Sequence, residues 1–75
     1  NIKYELYEEE YVKVTVYDIL GNIVNNLLNT RQTSGDKSLK WNATDNRGRK
    51  VPAGVYFYSI EGGNFRQTKK MILLK

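Results

Sequence analysis

The chain has 75 residues, 40% of them hydrophobic, and carries twelve Lys and Arg against eight Asp and Glu for a formal net charge of +4. A chain this short makes one domain and hides only about 60% of the surface its unfolded form exposes. It contains neither Cys nor His, which removes disulfides, thiolate zinc sites, thiol catalysis and the commonest general base, so the sequence predicts a non-catalytic domain that needs no cofactor and no metal.

The first residue is Asn and no charged-then-apolar leader precedes it, so residues 1–75 are read as a single domain cut from a longer protein. No apolar run approaches the roughly 20 residues that cross a bilayer, and membrane insertion is not expected. Along the chain the dominant period is two. Ile2, Tyr4 and Leu6 alternate with Lys3 and Glu5, and Val12, Val14 and Val16 alternate with Lys13, Thr15 and Tyr17, which predicts two strands with one buried face each. Asp18, Gly21 and Asn22 follow as turn residues. Ile23, Val24, Leu27 and Leu28 supply a third strand; residues 29–38 hold no large apolar side chain and are expected to form a loop. Leu39 and Trp41 flank Lys40 in a short predicted fourth strand, followed by a polar loop over residues 42–50. "GVYFYSI" is dense in β-branched and aromatic types and predicts a fifth strand. Gly62 and Gly63 then suggest a tight hairpin into a last strand.

Six or seven short strands without helical periodicity point to an all-β fold, an immunoglobulin-like antiparallel β-sandwich. Two details favour it over a small barrel. Trp41, read as mid-strand, is the sole Trp and large enough to bridge two facing sheets. Pro52 and Gly54 precede Tyr56 as in a tyrosine corner, whose hydroxyl bonds back to upstream backbone. Structural duty accounts for most of Gly21, Trp41, Gly54, Tyr56 and Gly63.

Charge is uneven. Residues 1–36 hold three basic and six acidic side chains, residues 37–75 nine and two. The basic residues are scattered among turns and strands with no recognition motif, so nucleic acid is not an expected partner. Glu8, Glu9 and Glu10 read as a solvated turn, and Asp45 lacks the further carboxylates that a hard cation needs.

The stretches "YVKVTVYDILGNIVNNLL" and "WNATDNRGRKVPAGVYFYSIEGGNFRQTKKMILLK" resemble the C-terminal sorting domain of proteins exported by the type IX secretion system of Bacteroidetes and related phyla. The likeness rests on "VYD-x-x-G" at residues 16–21, "G-x-Y-F-Y" at 54–58, and "K-K-M-x-L-x-K" at 69–75. The immunoglobulin-like domain of flagellar hook-capping proteins is similar in the portion running from Trp41 through "VPAGVY".

The first resemblance implies a module on the C-terminal side of a cargo domain that presents the cargo to an outer-membrane translocon. A sortase-like peptidase then removes the module in many members, and the route through the periplasm ends outside the cell or on its surface. On this basis Lys69, Lys70, Met71, Leu73 and Lys75 are the expected translocon-recognition residues. The second resemblance implies a structural or adhesion module attached to a secreted enzyme or flagellar assembly.

A strand spanning this ending puts Met71 and Leu73 on one face and Ile72 and Leu74 on the other. Two readings fit that pattern. Such a strand is either central in its sheet and covered on both sides, or an edge strand whose outward apolar groups and unpaired backbone meet a partner. An exposed edge also predicts weak, concentration-dependent self-association, held down by the repulsion of its lysines.

Overall fold

The computed structural model describes residues 2–74. Among them lie six strands and no helix: β1 (Ile2–Leu6), β2 (Glu10–Tyr17), β3 (Ile23–Gln32), β4 (Gly35–Leu39), β5 (Gly54–Glu61) and β6 (Arg66–Leu73). They form two antiparallel sheets, one of two strands in the order β1-β4 and one of four in the order β3-β2-β5-β6. This is the six-stranded immunoglobulin-like β-sandwich that the strand spacing predicts.

The core lies where the small sheet covers the large one. Ile2 and Leu6 of β1 meet Val12 and Val14 of β2 and Ile60 of β5, with Tyr4, Leu27, Leu28, Leu39 and Tyr58 packed around them. The alternation in β2 explains the inward set, because residues two apart share a face and Val12, Val14 and Val16 are all fully buried. Each such aliphatic side chain contributes roughly 1.5–3 kcal/mol by leaving water. Tyr4, partly buried, has its hydroxyl pKa raised by that burial, and its Oη donates to the side-chain oxygen of Gln32.

Strand β3 departs from period two for a visible reason. Val14 pairs with Leu28 but Thr15 pairs with Asn26, and Val16 pairs with Asn25 but Tyr17 with Ile23, so Leu27 and Val24 are extra residues at bulges. A bulge sets two residues against one and re-aims the side chains beside it. Both Leu27 and Leu28, although adjacent, therefore pack on the core.

Two expectations are corrected. Residues 29–38 are not a loop: β3 runs on to Gln32 and β4 begins at Gly35. Their polar side chains belong to strands with water-facing sides, held by backbone pairing, as in Lys3 with Ser38 and Lys13 with Asn29. Nor is Trp41 mid-strand, since β4 stops at Leu39. Its ring stands edge-on to Tyr56 with centroids 5.2 Å apart and planes at 67°, and its Nε1 donates to the Thr44 carbonyl at 2.8 Å.

Candidate recognition edge

The last strand, β6, is an edge strand of the large sheet, paired only with β5 among the described residues. That excludes the central placement. Residues Arg66, Gln67, Thr68, Lys69 and Lys70 are exposed on both faces. Met71 and Leu73 turn to the interior side and are half-buried, while Ile72 and Leu74 are 63% and 82% exposed.

The opposite edge, β3, is treated differently. The loop over residues 42–50 lies along it: the Asn46 N–H donates to the Val24 carbonyl at 3.0 Å, and Asn46 Oδ1 accepts from the Asn26 N–H at 2.8 Å. Asn25 Nδ2 donates to the Thr44 carbonyl at 2.8 Å. Two backbone groups that would template another strand, the Val24 carbonyl and the Asn26 N–H, are thus taken up on β3. No described residue does the same for β6.

Two turns of one design hold the flanks. Asp18 Oδ1 accepts from the N–H groups of Leu20 and Asn22 at 2.9 Å each, and Asp45 Oδ1 from those of Arg47 and Arg49 at 2.9 and 3.0 Å. In each, the carbonyl of the Asp accepts from a Gly three residues on, Gly21 or Gly48, at 3.0 Å. These glycines sit at φ 87° and 79°, a region other residues reach only with strain. Bonds to the ionised form favour it: the Asn22 N–H chiefly holds the Asp18 carboxyl below its ordinary pKa, and the Arg49 N–H chiefly does so at Asp45. Asp45 is therefore committed to its own turn. Among the described residues no three metal-ligating side chains come together.

The structure brings two of the sequence motifs side by side. Gly54 pairs with Leu73, Tyr56 with Met71, Phe57 with Lys70 and Tyr58 with Lys69, so the "GVYFY" strand is the platform on which the basic-aliphatic ending is laid. Tyr56 is anchored from behind, its Oη donating to the Pro52 carbonyl at 2.7 Å. Gly63 lies apart from this cluster, whereas Gly21 lies in the turn that flanks Phe57. Gly21 closes the β2-β3 turn; Gly63 lies in the β5-β6 connection, where its N–H donates to Glu10 Oε1 at 2.9 Å. Lys75 lies outside the described residues.

The sequence reading missed the Asn26–Asn46 staple, although the repeated Asp-x-x-Gly of "DILG" and "DNRG" is its signal, since it marks residues 45–48 as a fixed turn rather than slack chain. Glu8 and Glu9 are exposed, as a solvated turn requires, with Glu9 3.0 Å from Arg31; Glu10 instead opens β2 and accepts from the Gly63 N–H.

A two-sheet sandwich fastened by a tyrosine corner, with one large-sheet edge stapled in part and the other bare among the described residues, defines a non-disulfide immunoglobulin-like domain. A family model described as the FlgD Ig-like domain matches residues 2–64, and the chain belongs to that family. The match ends before β6 begins at Arg66. No curated protein and no solved structure gives a match to the chain.

Proposed function

We propose that the domain is a sorting module that presents a cargo protein to the type IX outer-membrane translocon, with β6 as the segment the translocon reads. The observation that carries this reading is the bare β6 edge, where Lys69, Lys70, Ile72 and Leu74 are exposed on a rigid platform. A strand held in place at a sheet edge supplies both main-chain hydrogen bonds and alternating side chains to a partner, which is what a readable label requires. The matched family unit stops short of this strand, which supports reading β6 as an addition to the common domain body. The cargo lies on the N-terminal side, the destination is the cell surface or the medium by way of the periplasm, and a sortase-like peptidase acts upstream of Asn1.

The test fuses residues 1–75 to a fluorescent reporter in a host with a type IX system. The reporter is expected outside the cell, and removing residues 69–75 is expected to retain it. Because that truncation shortens β6, the double variant Ile72→Lys/Leu74→Lys is run beside it; both positions are exposed, so the body stays folded. Export equal in all three fusions defeats the reading.

A second reading, an immunoglobulin-like structural module of the hook-capping kind, is favoured by the family match over residues 2–64. It predicts that the fusion stays inside the type IX host whatever β6 carries.

A further inference from the structure

Charge is divided between the two ends of the sandwich. Glu5, Glu8, Glu9, Glu10, Asp36 and Glu61 gather where β1 ends, β2 and β4 begin and β5 ends. The other end holds two carboxylates, Asp18 and Asp45, each taken up by its own turn. Lys69 and Lys70 make no ion pair with any described residue, in contrast to Arg66, which lies 3.6 Å from Glu61. Among the described residues, then, no carboxylate is paired with the β6 lysines.

Faces matter as well. Lys70 and Ile72 point to the outer side of the large sheet, Lys69, Met71 and Leu73 to the inner side, so each face presents a cation followed by aliphatic groups. A lipid surface fits poorly, because apolar groups on opposite faces of one strand cannot enter the same interface together. A second copy of β6 fits poorly too, because self-pairing sets lysines of two copies over one short ladder, where like charges oppose each other.

We propose that the β6 edge receives an extended segment of another protein, added antiparallel as a fifth strand of the large sheet, with carboxylates opposite Lys69 and Lys70 and aliphatic side chains opposite Met71, Ile72 and Leu73. This names the partner chemistry of the edge assigned above to sorting, and it rests on that reading for its setting. Main-chain bonds give the affinity and the two charge pairs give the register.

The experiment titrates the purified 75-residue domain with three synthetic peptides of about eight residues: one acidic-aliphatic, one with Lys in place of its acids, and one acidic-aliphatic with N-methyl groups on every second amide. In an antiparallel pair only alternate amides face the neighbour, so methylation of that set blocks the ladder while keeping charge and apolarity. The first peptide is expected to bind. The other two are expected to bind at least about tenfold more weakly, and Lys69→Glu/Lys70→Glu is expected to reverse the preference between the acidic and Lys peptides. Equal binding of all three, binding indifferent to methylation, no binding at all, or self-pairing through β6 that shuts out the acidic peptide at low salt would each overturn the proposal. Export of the reporter fusion carrying Lys69→Glu/Lys70→Glu separates the two claims. Peptide preference with undiminished export sinks the sorting reading and leaves the strand preference standing; export that needs β6 without any peptide preference sinks the strand preference alone.

Discussion

At Tyr56 a ring and a hydroxyl act on different neighbours. The ring takes the edge of Trp41, and the hydroxyl reaches back to the Pro52 carbonyl. Tyr56→Phe keeps the first and deletes the second, leaving a part-buried carbonyl without its donor. The expected loss is about 1–2 kcal/mol, read as a fall in Tm of several degrees in a domain of this size, with an unchanged circular dichroism spectrum at 20 °C or so. A variant as stable as the wild type would remove the corner from the account. Asp18 and Asp45 make a prediction about pH. Their folded carboxyls hold protons less tightly than the ordinary 3.8, so the stabilisation they supply is complete above that value and disappears as pH falls through the depressed folded values. Thermal melts of the wild type are expected to hold steady down to about pH 4 and to drop below it. Asn can still accept the same turn bonds but does not titrate, so Asp18→Asn/Asp45→Asn is expected to flatten that acid limb. An unchanged limb would show that other carboxyls govern it.

Among the elements, the two edges of the large sheet were unequally legible. The β6 strand was visible because its aliphatic residues sit in a β-rich ending, but its place at the edge was not: apolar groups on both faces suit a central strand as well, and sheet order is set by which strands pair, not by any one strand's composition. The polar end of β3 and most of β4 were hidden for a related reason. A water-facing strand in a small domain can be held by its backbone ladder, which leaves no period-two signal; "GDKSL" carries one large apolar residue. The corner, by contrast, could be read from Pro52, Gly54 and Tyr56 because its geometry is local. Trp41 was misplaced because its size argued for a strand, while its partner is a strand far along the chain. The Asn46 staple supports one edge strand and can be removed alone. Asn46→Ala leaves the Asn26 N–H without its acceptor at 2.8 Å and loosens the loop over β3, at a cost of about 1 kcal/mol. Hydrogen exchange at the Asn26 amide is expected to speed up by roughly the same free energy, whereas β5 amides should not change. Exchange that rises equally in both strands would mean that the loop supports the whole sandwich and not its edge.

For the whole molecule, the sandwich concentrates its exposed aliphatic side chains at one end. The β2-β3 turn, the start of β5 and the end of β6 meet there through the pairs Tyr17 with Phe57 and Gly54 with Leu73, and the exposed aliphatics Ile19, Leu20, Ile23, Ile72 and Leu74 all belong to this end. An exposed strand edge beside such groups invites copies to pair, and the lysines on that strand oppose it. The balance can be shifted without mutation because salt screens exposed charges: the Debye length falls from about 10 Å at 0.1 M to about 3 Å at 1 M. Sedimentation velocity on the purified domain is therefore expected to show more self-association at 0.5 M NaCl than at 0.05 M, and Lys69→Gln/Lys70→Gln is expected to associate at low salt as the wild type does at high salt. Capture of an acidic strand has the opposite dependence, since there the same screening removes an attraction. The two events share a surface but differ in the sign of their salt response, so one titration series on one protein separates them. Self-association that weakens with added salt would place its contact between the acidic and basic ends of neighbouring copies instead of between two β6 edges.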